Sequence, residues 1–356
     1  MVISTIRVLV VDGSATVRRA MTSLLSREPD MSVCFASDPL AASDQIKQER
    51  PDVIILDLEF PRLGGLVFLR RLMSEDPIPV IVCSGAEGAA HETAIRALNE
   101  GAVGIVAQPG AGMPGGLQES ALLLADAVRG AAQARLRRRR PRAVRPGPAQ
   151  PDPRPASVPR GFPARGSTGS LVAIGASTGG PEALRKVLEA MPSDSPGVVI
   201  VQHMPELFTS GFASHLNQDC RIEVKEAADG DGVKRGRALI APGNRHISVV
   251  QRGAEYAVEV RDGPLVSRHR PSVDVLFRSV ARVAGADAVG VIMTGMGSDG
   301  AEGLLEMKEA GAYTVAQSEA SCVVFGMPKE AISRGGVREV APLSRIASII
   351  LQRSSS

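Results

Sequence analysis

The sequence is poor in aromatic residues: they make up only 3% of its 356 residues, and Trp is absent. Leu, Ile, Val and Ala must therefore fill its cores, within a hydrophobic fraction of 44% that suits a globular chain. No apolar run approaches the roughly 18 residues of a membrane span, so no membrane insertion is expected. The amino terminus leads straight into a strand pattern at Ile6 and does not read as a signal peptide. Cysteine is scarce. Cys34, Cys83, Cys220 and Cys322 lie far apart, form no C-x-x-C and read as buried free thiols, which argues against a disulfide framework and points to a cytoplasmic address. The histidines at 91, 203, 215, 246 and 269 show no H-E-x-x-H spacing, so zinc is not expected.

Charge is unevenly spread. The formal net charge is +3, yet residues 135–145 hold seven arginines and no acid, leaving −4 for the remainder. This is a mildly acidic chain with one basic knot. It has no recognition helix, no interleaved aromatics and no zinc motif nearby, so no nucleic-acid partner is expected. Eight prolines follow between 141 and 163. Such a stretch forms no core and reads as a tether. The chain thus divides into a domain over 1–126, an Arg/Pro-rich linker over 127–167 and a second domain over 168–353.

The organising stretch is Leu171-Val-Ala-Ile-Gly-Ala-Ser-Thr-Gly-Gly-Pro-Glu182. It reads as a buried strand, a sharp turn and a helix start, with Pro181 suited to the first helical turn. Residues 175–179 fit the G-x-S-x-G elbow, which makes Ser177 a candidate nucleophile beside backbone donors for an oxyanion. A phosphate-binding turn or a turn tightened only for packing are the rival readings.

In the first domain, apolar strands at 6–11, 52–56, 79–83 and 103–106 alternate with helices at 15–25, 66–73, 93–99 and 117–129. This pattern implies a doubly wound α/β sandwich. Asp12, Asp57 and Ser84 follow or end strands, where such sheets bind ligands. The second domain has the same strand–helix alternation, with His203 after the strand at 196–201 and Asp299 after the strand at 288–293. Ser177, His203 and Asp299 supply a nucleophile, a general base and an acid that orients the base. His246 and His269 are alternative bases. Asp299 also suits a helix cap before Gly300. The order Ser…His…Asp is not that of the α/β hydrolases. Met296, within Thr294-Gly-Met-Gly-Ser-Asp-Gly300, offers an N–H to an oxyanion. Arg268, His269 and Arg270 stand where a loop enters a helix and within reach of substrate.

Residues 5–126 resemble a receiver domain of two-component signalling, with a flavodoxin-like fold: Asp57 stands at the phospho-acceptor position, Ser84 at the hydroxyl position and Pro109 at the proline of the usual Lys-Pro. Gly13 replaces the second acid that holds Mg²⁺, and Gln108 replaces the lysine. Both losses remove charge neutralisation and point to a pseudo-receiver that docks or covers. With Gly-Ala-Ser-Thr-Gly-Gly, Gln-His-Met and Thr-Gly-Met-Gly-Ser-Asp-Gly downstream, the whole chain resembles the CheB family of chemoreceptor glutamate methylesterases and glutamine deamidases.

The resemblance implies catalysis by Ser177, His203 and Asp299 with Thr178 and Met296 beside the oxyanion, and no catalytic cofactor. It implies methyl-accepting chemoreceptors as substrates, bound by a helix face. It also implies a first domain that covers the active site until the histidine kinase CheA phosphorylates it. A non-enzymatic pseudo-response-regulator acting by protein docking is the alternative.

Overall fold

A computed structural model describes residues 5–60, 64–85, 89–109, 116–136 and 171–354. The linker reading over 127–167 falls largely outside these residues. The first domain is a five-stranded parallel sheet in the order β2-β1-β3-β4-β5. Its strands are β1 (Ile6–Val11), β2 (Met31–Ala36), β3 (Val53–Asp57), β4 (Val80–Ser84) and β5 (Gly104–Ala107). Helices α1 (Ala15–Leu25), α2 (Pro39–Gln48), α3 (Gly65–Glu75), α4 (Ala89–Asn99) and α5 (Gly116–Ala132) alternate with them. β3 and β4 are buried at every position, the pattern of strands covered on both faces.

β2 and α2 escape the apolar-run criterion for a physical reason. β2 is an edge strand with Ser32, Cys34 and Phe35 exposed, so its pattern is not a continuous buried run. Cys34 lies on it and is exposed, and Cys220 is half-buried; only Cys83 and Cys322 are the buried thiols expected.

The second domain holds a seven-stranded parallel sheet ordered β14-β13-β12-β6-β7-β9-β8. Its strands are β6 (Leu171–Ala176), β7 (Gly197–Gln202), β8 (Glu223–Glu226), β9 (Arg237–Ile240), β12 (Ala288–Ile292), β13 (Tyr313–Gln317) and β14 (Glu339–Ala341). A hairpin of β10 (His246–Arg252) and β11 (Glu255–Arg261) stands apart from it. The helices are α6 (Gly180–Glu189), α7 (Glu206–Asp219), α8 (Val273–Val283), α9 (Ala301–Glu309), α10 (Met327–Ser333) and α11 (Leu343–Ser354). α6 turns Ala183, Leu184, Val187 and Leu188 into the core at helical spacing. Burying each of its larger aliphatic side chains contributes about 1.5–3 kcal/mol.

The chain leaves β6 toward β7 on one side and returns to β12 on the other. The strand order therefore reverses at β6, and a crevice opens at the carboxyl ends of β12, β6 and β7. The registers Ala176↔Gln202 and Ile292↔Gly175 bring the residues after each strand to one edge.

The two domains touch. α4 packs on α7 and α6. The His91 ring meets Phe208 edge-on at 4.7 Å. Asn99 and His215 are hydrogen-bonded at 2.6 Å. Beyond α5, Arg135 pairs with Glu319 at 2.8 Å.

Candidate active site

Ser177 and His203 are the first residues past two adjacent strands. Neighbouring strands run about 4.8 Å apart, so their backbones are held side by side. His203 N donates to Ala176 O at 3.1 Å and Ser177 N to Thr294 O at 3.0 Å, which extends the sheet ladder to the site. Gln202 Nε2 donates to both Ser177 O and His203 O at 3.0 Å, clamping the two loops together. Gly179 takes φ 75°, a left-handed conformation in which a side chain is disfavoured, and a Cβ there would also strike Val323. That turn lifts Ser177 out of the strand and starts α6.

Asp299 is 1% exposed and fully engaged. His203 Nε2 lies 2.8 Å from Asp299 Oδ2. Val273 N donates to the same oxygen at 2.8 Å, while Ser272 Oγ and Asp274 N donate to Oδ1 at 2.7 and 3.0 Å. The alternative reading of Asp299 as a cap on its own helix does not hold: Gly300 is the N-cap of α9 and makes no side-chain bond. Asp299 instead caps the amino terminus of the neighbouring α8, which favours its ionised form. Burial pushes its carboxyl up, but the hydrogen bond and charge of His203 and the backbone donor at Val273 prevail and hold it below the usual carboxylate range.

With Nε2 turned to Asp299, His203 Nδ1 is buried and has no partner. It is the nitrogen left to accept a proton. No hydrogen bond joins it to Ser177 Oγ among the described residues. His269 stacks on the His203 ring, centroids 3.7 Å apart and planes within 9°. Burial, then the neighbouring His203, push its imidazole down to about 3, so it stays neutral and supports the ring above it. It presents a face rather than an edge, which makes it the weaker of the two bases. His246 is occupied elsewhere: Nε2 meets Pro264 O at 2.8 Å and Nδ1 accepts from Ser272 N at 3.2 Å. His203, His269 and Asp299 do bring one ligand atom each within 4.8 Å of one another. The stacked rings, however, aim their in-plane lone pairs alongside each other rather than at a common point, which is unlike a tetrahedral zinc site.

Among the described residues neither Thr178 N–H nor Met296 N–H has an acceptor, so both are free to serve an oxyanion. The peptide that carries the Thr178 N–H is fixed through Ser177 O, which accepts from Gln202 Nε2 at 3.0 Å and Gly180 N at 2.7 Å; Thr294 Oγ1 fixes the next peptide by donating to Thr178 O at 2.9 Å, and it accepts from Val323 N and Val324 N. Gln202, Ser272 and Thr294 are positioning residues to which the sequence reading assigned no role. Gln202 was legible only as part of Gln-His-Met.

The cleft holding Ser177, His203 and Met296 has a volume of about 840 Å³ and is walled on its far side by the first domain, through β5, Gln108 and α5. Ser84 also lines it. Gly179 N donates across the boundary to Val103 O at 2.9 Å. The second predicted constellation, Asp12, Asp57 and Ser84, lies at the strand ends of the first sheet. Ser14 N donates to Asp12 Oδ1 at 2.7 Å, but Asp12 Oδ2 is buried without a partner. Asp57 Oδ1 accepts from Glu59 N at 3.1 Å, and the Leu58 backbone N–H adds a weaker pull. Burial, then the charges of Asp12 and Glu59, push its carboxyl up to about 6.

Residues 172–350 match the family model "CheB methylesterase" and residues 8–112 the model "Response regulator receiver domain". A protein from Anaeromyxobacter dehalogenans named protein-glutamate methylesterase/protein-glutamine glutaminase 1 is 56% identical over 97% of this chain and 98% of its own length. The chain belongs to the CheB methylesterase family. A Geobacter metallireducens member of that family with the same enzyme name is 54% identical over 98% of both chains. The CheB methylesterase catalytic domain of Thermotoga maritima superposes with a TM-score of 0.51 at 36% identity, covering 52% of this chain and 98% of that one. Likeness to enzymes over nearly the whole length favours the enzymatic reading over the non-enzymatic alternative. No described helix is long and apolar enough to cross a membrane.

Proposed function

We propose that this CheB-family chain is a serine hydrolase that removes methyl groups from glutamyl methyl esters of chemoreceptors and deamidates receptor glutamines. The observation that carries the reading is the His203–Asp299 pair at 2.8 Å, which leaves Nδ1 buried and free beside the strand end bearing Ser177. Nδ1 of neutral His203 takes the Ser177 proton as Oγ attacks the γ-carbonyl carbon. Nε2–H donates to Asp299, which stays ionised throughout and stabilises the imidazolium that forms. Thr178 N–H and Met296 N–H receive the tetrahedral oxyanion, an effect worth about 3–4 kcal/mol per donor in acyl transfer. Collapse expels the methoxy group, which takes the proton from His203 and leaves as methanol. Water, deprotonated by the same nitrogen, then frees the glutamate and restores Ser177. A glutamine releases ammonia by the same steps, and no cofactor enters them. The roles given to Thr178 and Met296 rest on their unoccupied N–H groups.

The first domain is the regulatory cover, with CheA as the candidate phosphoryl donor to Asp57. Asp12 and Asp57 suit a hard divalent cation: both are oxygen donors, one oxygen is buried and without a partner among the described residues, and the Asp57 carboxyl is pushed up by burial and by the charges of Asp12 and Glu59. They would hold Mg²⁺, which would supply the neutralisation that acylphosphate formation needs. Gly13 and Gln108 still deprive the pocket of an acid and a lysine, so partner docking is the mode of control that the pocket's composition favours.

Methanol release from a methylated receptor tests the catalytic reading. Release by the wild-type chain and none from Ser177→Ala is expected; undiminished release by the variant would remove Ser177 from the mechanism.

A further inference from the structure

The first domain does more than roof the cleft, because what it lays there is a helix. A Cβ built on Gly130 of α5 would stand 2.8 Å from Thr178 Oγ1 and 3.3 Å from Met296 Cβ. A side chain at that position would therefore point at the wall assigned to the oxyanion. Asp126, four residues earlier, pairs with Arg268 at 3.5 Å, and Glu119, eleven residues earlier, pairs with Arg270 at 3.1 Å. Those intervals are close to one and three helical turns, so all three positions share one face of α5 over about 16 Å.

Arg270 is held by the catalytic domain without help from α5. Its Nε and Nη2 donate to Asn244 Oδ1 at 2.8 and 2.6 Å, and Nη1 donates to Gly263 O at 2.6 Å. Its side chain is only 16% exposed. When α5 withdraws, a partly buried guanidinium loses its one carboxylate, an unfavourable state that another carboxylate relieves. The lip carrying these arginines is also strained. Asn244, Ser267 and Arg268 take φ of 59°, 50° and 66°, and all three line the cleft. Non-glycine residues persist in that region where the surroundings enforce it, commonly at ligand clamps.

Building on the esterase reading above, we infer that α5 occupies the groove of the substrate helix, and that Arg268 and Arg270 recognise acidic side chains four and eleven residues before the reacting glutamyl ester. Gly130 stands where the ester-bearing residue stands in a substrate. The absence of a side chain there is what lets α5 close down.

The test measures methanol release by the full chain from helical peptides carrying one glutamyl γ-methyl ester, with Glu or Gln at positions −4 and −11, or with Glu at +4 and +11. N-acetylglutamate γ-methyl ester amide serves as the small ester. The Glu peptide should show a KM about tenfold lower than the Gln peptide with kcat little changed, as expected for a desolvated charge pair used in binding. Arg270→Glu should reverse the preference at −11, so that Lys there outperforms Glu. Should that variant not fold, Arg268→Glu makes the same test at −4 from a more exposed position. Gly130→Leu should raise turnover of every substrate several-fold by holding α5 off the site.

Equal KM values for the Glu and Gln peptides, a preference for +4 and +11, or an unreversed preference in the charge variants would overturn the inference. Release from the small ester alongside such a result would leave the esterase reading standing. No release from any substrate would refute both.

Discussion

Asp299 and Asp57 occupy comparable places. Each is a buried carboxylate at the carboxyl edge of a parallel sheet, beside the point where the strand order reverses. Their surroundings differ. Asp299 receives four donors, from His203, Ser272, Val273 and Asp274, and is held below its ordinary range. Among the described residues Asp57 is met only by the backbone N–H groups of Glu59 and Leu58, faces a second carboxylate, and is pushed up to about 6. The lesson is that the fold supplies the position and the neighbours decide the chemistry. A carboxylate with all its donors in place stays ionised and holds the imidazole beside it. One whose charge is less well met keeps its proton to higher pH.

This contrast can be sharpened by breaking it from both ends. The largest effect is expected at Asp299. Asp299→Asn keeps the shape but cannot hold His203 in the required tautomer, so kcat should fall by about 10⁴-fold in methanol release. Retention of more than a tenth of the activity would separate Asp299 from catalysis. Next comes Gln202→Leu, which removes the side-chain donor shared by Ser177 O and His203 O and leaves Ser177 O with Gly180 N alone. It should lower stability by about 1–3 kcal/mol in urea unfolding. A neutral result would mean that the clamp is not part of the scaffold.

The same asparagine exchange should act oppositely in the first domain. Asp57 has a folded value of about 6, above its ordinary 3.8, so the folded state keeps the proton longer. Stability therefore falls as pH rises from about 4 to about 6 and stays lower above that. Asp57→Asn should remove this fall and stabilise the chain by about 1–3 kcal/mol at pH 8, with no gain at pH 3. Destabilisation at pH 8 would contradict the unmet charge. Mg²⁺ should raise the melting temperature of the wild type at pH 8 by a few degrees and leave Asp57→Asn unmoved. Asp299 gives the smallest and opposite pH effect. Its folded value is depressed, so its contribution is present above about pH 4 and is lost as pH falls below that. Acid titration of wild type against Asp299→Asn, followed by circular dichroism, reads that difference.

Much of this was visible in the chain before any coordinates. The central strands β3, β4, β6, β7 and β12 are apolar at nearly every position because both faces are covered, and they stand out by that alone. Of the residues that follow β6, β7 and β12, Ser177 and His203 line one cleft and Asp299 pairs with His203. Edge elements were harder. β2 is exposed at Ser32, Cys34 and Phe35 and β14 has only three residues, so neither offers a continuous apolar signal. The cap that Asp299 makes is between elements distant in sequence. Local pattern pointed to its own helix, whereas tertiary packing brought α8 to it. The pairing of α5 acids with Arg268 and Arg270 was hidden for the same reason: Glu119 and Arg270 are 151 residues apart, and nothing local joins them.

The central claim is that a hydroxyl, an imidazole and a carboxylate share one sheet edge and act together. Intact-protein and peptide mass spectrometry after treatment with a fluorophosphonate tests it most directly. The account predicts a single adduct on Ser177 that is strongly slowed in Asp299→Asn. Labelling at another residue, or labelling of Ser177 at an undiminished rate in that variant, would contradict it.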